Sequence, residues 1–261
     1  MTSLFRAFFW LELHLAKQYR WALIAQLGQF LIFLLIFSRL PIESDSKAFD
    51  GVPYVHFVLT GLVFQIYYEA ILNGPTSRLN ELQVSGQLQV VLSAPYPRWM
   101  ILLVSGAVSA LTGTIRAALI LIGGSLLFEV SYSTIRLEAL IGSILFTSTL
   151  CSCLALLNVA GTLLWPRVNL TGFFSSLLLG LLSGVFIPID QLPAMIRPLS
   201  ELNPLRWALD SFRYALGQHA PLSIEGWWVA STTLVALGIT AAGLFRWADR
   251  RLTTENRYQY F

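Results

Sequence analysis

Two charged side chains, Glu69 and Arg116, stand inside otherwise apolar stretches. An ionisable group in hydrocarbon is costly and usually faces protein or water, so each is a candidate for lining a polar path. Counted along a helix, Glu69 lies about 22 Å from the outer start of its segment, and Arg116 about 17 residues from the inner start of the next. These depths predict that the two do not pair directly. Glu69 then either lines a pathway or neutralises a neighbour, while Arg116 snorkels outward. Other reactive chemistry is thin. The two lysines, Lys17 and Lys47, lie in no phosphate-binding loop, so the chain has no recognisable ATP site of its own. Cys151 and Cys153 fall on different helix faces and read as small packing residues. His56 and His219 have no partners at metal spacing. An enzyme embedded in the membrane would need convergent polar groups at one depth. The apolar stretches offer no serine–histidine pair, no HExxH and no paired carboxylates. The expectation is therefore a non-catalytic chain that binds no cofactor or metal. A stand-alone channel or ion-coupled transporter rests on Glu69 alone.

The elements that must position these residues follow from composition. Of 261 residues, 56% are hydrophobic and only 12% charged, with a mean hydropathy of +0.66. A soluble domain carries about 25% charged residues, which excludes that class. A net charge of +3 is too small to imply nucleic acid. A membrane helix takes about 20 residues, and apolar runs at about 21–37, 54–74, 99–128, 139–165, 170–187 and 227–245 give six spans. The fold class expected is an all-α integral membrane protein, one domain over residues 1–261. With both termini cytosolic, the inner segments hold ten lysines and arginines and the outer ones six, which favours that orientation by the positive-inside rule. The start of the sequence lacks the small-residue cleavage site of a secretory signal.

Three stretches outside the spans have amphipathic character. In residues 3–20, Leu4, Phe8, Leu11 and Leu15 share one helical face, with Arg6, His14, Lys17 and Arg20 opposite. That pattern suits a helix lying in the lipid headgroups, or a plain extension of the first span. Residues 78–93 form a short inner helix with Val84, Leu88, Val91 and Leu92 as its apolar positions, ended by Ala94-Pro95-Tyr96-Pro97. It acts either as a lever moved by a docked partner or as a helix resting on headgroups. Residues 188–216 are outer. Pro188, Pro193 and Pro198 bend the first part, and Asn203-Pro204 is an N-cap followed by a first-turn proline. Gly217 supplies the stop. Leu205, Leu209, Phe212 and Leu216 form one face of this helix. Arg206, Asp210 and Arg213 form another, spaced for ion pairing. The segment either closes a cavity mouth or serves as a structural cap. Gly180 and Gly184 make a GxxxG in the fifth span, which suits a close helix–helix seam or arises by chance.

Phe186-Ile187-Pro188-Ile189-Asp190-Gln191-Leu192-Pro193, then Asn203-Pro204-Leu205-Arg206-Trp207-Ala208-Leu209-Asp210 with Arg213, resembles the closing segment of type-2 ABC exporter permeases. Gly86-Gln87-Leu88-Gln89-Val90-Val91-Leu92-Ser93-Ala94-Pro95 with Arg98-Trp99 is similar to that family's cytosolic coupling segment. The family includes drug, polysaccharide and lipo-oligosaccharide exporters. The resemblance implies a permease that pairs with a second copy or a paralogue in a bacterial inner membrane. It also implies two copies of an ABC ATPase subunit, which would bind ATP and magnesium. Residues 3–20 would be the interface helix, in contact with membrane lipids. Residues 78–93 would dock into the ATPase through Arg78, Glu81, Val84, Leu88, Gln89, Val91 and Leu92. Pro188, Asp190, Pro193, Asn203, Pro204, Arg206, Asp210 and Arg213 would form the outer gate. Glu69, Gly180 and Gly184 would line the pathway or the dimer seam. Gln89 stands where the family often has glutamate, which weakens any charge contact there and leaves Arg78 and Glu81 to serve.

Overall fold

A computed structural model describes residues 10, 28–29, 32, 35–36, 54–84, 86, 98–130, 132, 135–164, 179–189, 192–218 and 224–254. Among them the order is α1 (Tyr54–Val84), α2 (Arg98–Leu127), α3 (Leu137–Leu164), α4 (Arg197–Leu202), α5 (Pro204–Ala215) and α6 (Ile224–Thr254), with no strand. The four long helices are each apolar enough to cross a membrane, over Tyr54–Leu82, Met100–Leu127, Leu137–Thr162 and Gly226–Ala248. In the bilayer core a helix satisfies every backbone polar group internally, which is why apolar runs of this length fold this way. Of the spans expected at 21–37 and 170–187, only residues 28–29, 32, 35–36 and 179–187 are described, and 28–29, 32, 35–36 and 179–182 are helical. The amphipathic helix expected over 3–20 lies outside the described residues apart from Trp10.

α1 is the axis of the fold. Within its apolar window 72% is buried, against 17% to 28% for the other three. Val58, Leu59, Phe64, Tyr68, Ile71 and Leu72 are fully enclosed. α2 lies along one side of it and α3 along another, and α6 packs on α3. Glycines set the close approaches. A methyl at Gly113 would stand 2.8 Å from Ala70 Cβ, and one at Gly124 would meet the Leu59 side chain. Small residues let helix backbones meet in lipid, where packing and hydrogen bonds drive association. Tyr67 adds a polar tie, its hydroxyl donating to the Ile144 carbonyl at 3.1 Å. The outward residues of α2, among them Leu103, Ile115, Leu119 and Ile122, are more than half exposed, as lipid-facing positions should be.

Two boundaries differ from the sequence reading. The second span does not stop at Gly74: α1 runs on through Pro75 to Val84, so the first part of 78–93 is an extension of that span. Pro75 costs a backbone hydrogen bond, yet its ring is buried in the helix interface facing Gly106. Gly86, at φ +69°, then turns the chain. The fifth span does not stay helical to 187. It ends at residue 182, and Gly184 takes a left-handed φ of +82° that reverses the backbone. Residues 183–196 hold turns and bends where described, which fits Pro188 and Pro193 in that stretch, while Pro198 sits in the first turn of α4.

Candidate functional site

The outer cap is built on α5. Asn203 caps it, its Oδ1 accepting from the Leu205 N–H at 3.1 Å, while Nδ2 donates to the Leu179 carbonyl at 2.8 Å. Pro204 fills the first turn. At the other end Gly217, at φ +76°, lets its own N–H reach the Tyr214 carbonyl and that of Gln218 reach Arg213. This double bond pattern is the Schellman stop. Leu205, Leu209 and Leu216 are enclosed and Phe212 nearly so, seating the helix mainly on α3 and more thinly on the outer end of α1.

Arg213 departs from the charged face predicted for it. Arg206 and Asp210 do pair, at 3.8 Å and half-buried. Arg213 points inward instead and is 3% exposed. Its Nη2 donates to the Gly184 carbonyl at 3.1 Å and reaches that of Val185 at 3.5 Å. Its guanidinium carbon stands 3.7 Å from the centre of the Phe57 ring, a stacking arrangement that stabilises a desolvated cation. Burial pushes its pKa down to about 10 and Asp210 draws it back up, so the group stays cationic at neutral pH. Gln218 Nε2 donates to the His56 carbonyl at 3.2 Å. A methyl at Gly61 would collide with the Val185 carbonyl. The turn at 184–185 is thus clamped between α1 and α5. Pro188 is buried beside it and Pro193 is exposed, its carbonyl accepting from the Ile196 N–H at 2.9 Å. Asp190 lies outside the described residues.

Gly180 and Gly184 are spent within the chain. A methyl at Gly180 would strike the Tyr68 hydroxyl, and Gly184 makes the turn whose carbonyl Arg213 holds. These are contacts within one chain, whereas the expectation for the pair was a dimer seam.

The inner end is open by contrast. Arg78 donates to Glu81 across one turn at 2.6 Å, with the Glu81 side chain 60% exposed. Val84 at the tip is 91% exposed. Leu88, Gln89, Val91 and Leu92 fall outside the described residues.

A polar groove of about 400 Å³ runs along α1 and α2 from this end into the membrane-spanning region. Glu69, Asn73, Ser77, Arg78 and Glu81 line it from α1, and Ser109, Thr112 and Arg116 from α2. The structure therefore brings Glu69 and Arg116 to one groove, against the separation predicted. Glu69 accepts from Gln65 Nε2 at 2.8 Å. The partners sequence reasoning missed were signalled by spacing: 69, 73 and 77 share one face of α1, and 109, 112 and 116 one face of α2. Among the described residues no group of His, Cys, Asp or Glu could hold a metal ion.

Residues 3–216 match the family model for ABC-2 type transporters. The chain belongs to that family. Inner membrane transport permease YadH of Escherichia coli K12 is 26% identical over 185 residues, 70% of each chain. The YadH proteins of Escherichia coli O157:H7 and Shigella flexneri align to the same extent. As an ABC-2 permease the chain is a membrane transport protein, and α6 lies beyond the residues that the family model matches.

Proposed function

We propose that this permease is the membrane-spanning half of an ATP-driven exporter, and that α1 is the rod through which an ATPase works it. One observation carries the reading. α1 is a single helix of 31 residues, about 46 Å long, against a hydrocarbon core of about 30 Å. It exceeds the membrane by about three turns. Its outer end meets the cap at Phe57, Gly61 and His56, and its inner end carries Glu81 and Val84 into water, with Arg78 largely buried beside Glu81. A push on the inner tip would therefore reach the cap along one continuous helix.

Two copies of an ABC ATPase subunit would dock on residues 78–93 and bind the ATP and magnesium. A second permease copy or a paralogue would complete the pathway, which Glu69 helps to line. The YadH relatives support residence in a bacterial inner membrane, and the basic residues of the tail support cytosolic termini. With spans at 21–37 and from about 170 to 182 added to the four long helices, the chain crosses six times. The cap at 188–216 would close the outer mouth.

The test is co-expression with the cognate ATPase, followed by ATP-dependent solute movement in reconstituted vesicles. Transport should require both chains and should fail in Val84→Asp and Arg78→Glu while the complex still forms. Solute flux from the permease alone would overturn the reading in favour of a stand-alone channel or ion-coupled transporter working through the Glu69 groove.

A further inference from the structure

A second hollow, of about 470 Å³, opens between α2, α3 and α6 near the end of the bundle where α6 turns basic. Its size falls within the roughly 300–1,000 Å³ of small-molecule sites. α2 packs along α1 and only thinly along α3, which leaves a wedge with α3 as its floor. Small residues keep it empty: Gly106 on α2 and Ala155 on α3 line it, between the bulkier Leu103 and Phe245. A methyl added at Gly106 would meet only Pro75 Cγ, at 3.9 Å. The lining is mostly apolar, and Leu103 at its edge is 56% exposed.

One charge stands in this lining. Arg246 is exposed, with Arg250 one helical turn further on. From Gly226, where the apolar window of α6 begins, to Arg246 is about 30 Å along the helix, the thickness of the hydrocarbon core. The guanidinium thus reaches headgroup level while the wedge beside it lies in the acyl region. A lateral apolar hollow left vacant forfeits dispersion contacts on every wall, and water has too few polar partners there to fill it. We propose that the wedge holds one acyl chain of an anionic phospholipid whose phosphate is bound by Arg246. The lining supplies shape for the chain, and the basic end of α6 supplies the charge that selects the headgroup. This site shares no lining residue with the Glu69 groove and does not depend on the reading of α1 as a rod.

The full-length permease, delipidated in detergent, is titrated with phosphatidylglycerol or phosphatidylcholine and bound lipid is counted by native mass spectrometry. One phosphatidylglycerol per chain should bind about fivefold tighter than phosphatidylcholine, the fold-change of one basic residue near an anionic headgroup. Arg246→Gln should abolish that preference and leave the weaker, headgroup-blind binding. Gly106→Leu, which fills the wedge, should reduce the binding of both lipids. Equal affinities in the native chain, or an unaltered preference in Arg246→Gln, would overturn the proposal. So would a Leu103→Cys probe that crosslinks efficiently to a second copy or another subunit, because a protein would then occupy the wedge. Arg246 is exposed, so its variant reads out the site even where Gly106→Leu fails to fold.

Discussion

The two ends of α1 are built on opposite principles. At the outer end every contact is enclosed: Arg213 holds the 184–185 turn, Gln218 ties His56, and Gly61 admits the Val185 backbone. At the inner end Glu81 pairs with Arg78 from an exposed position and the last side chain, Val84, is bare. A hydrogen bond to a buried charge contributes about 1.5–3 kcal/mol, whereas an exposed ion pair contributes about 0–1 kcal/mol. The outer end is therefore where the chain holds its own shape. The exposed tip of the inner end, at Glu81 and Val84, contributes little to stability and is available to something else.

The sharpest way to break this contrast is Arg213→Ala. It leaves two buried carbonyls without their donor and opens a hollow over Phe57. The expected loss is about 3 kcal/mol, the upper end for a buried hydrogen-bonded charge, read as a fall in the melting temperature of the detergent-purified chain. Gly61→Val comes next. Its side chain would meet backbone, which cannot swing aside, so about 1–3 kcal/mol of overpacking is expected. Asn203→Ala should cost about 1 kcal/mol as a lost cap, with a further loss at Leu179, whose carbonyl its amide serves. If Arg213→Ala melted like the native chain, the outer clamp would have no energetic content.

What the sequence disclosed follows the same division between local and distant causes. The ends of α2 and α3 fall within two residues of the predicted limits, because hydropathy alone sets them. α5 was legible from its caps, Asn203-Pro204 and Gly217, which act within a single turn. The run of α1 through Pro75 was not, since proline reads as a break unless a neighbouring helix is known to receive its ring. That one error displaced the depths. Measured from Val84, Glu69 is about 15 residues in, and Arg116 is about 18 residues in from Arg98, so they differ by about 5 Å along the axis. Arg213 was misplaced because Asp210 and Arg213, four and seven residues after Arg206, suggested one charged face. It also lies four residues after Leu209, at the edge of the buried face, and only the turn at 184–185 decides which side it takes.

The smallest effect on stability is expected at the inner tip, and there the contrast becomes a statement about function. Glu81→Gln removes the exposed carboxylate of an ion pair between residues one turn apart, and Val84→Asp places a charge on a side chain already in water. Each should shift stability by less than about 0.5 kcal/mol, leaving the melting temperature of the isolated permease where it was. If the tip is a docking surface, the same substitutions should abolish ATP-driven transport in the reconstituted complex. A charge introduced into an apolar contact is not tolerated as it is in water. The two readouts must therefore separate at this end of α1 and move together at the other, where Arg213→Ala lowers both. Should Val84→Asp destabilise the lone permease as strongly as Arg213→Ala does, the tip packs within its own chain, and the rod has no free end for a partner to push.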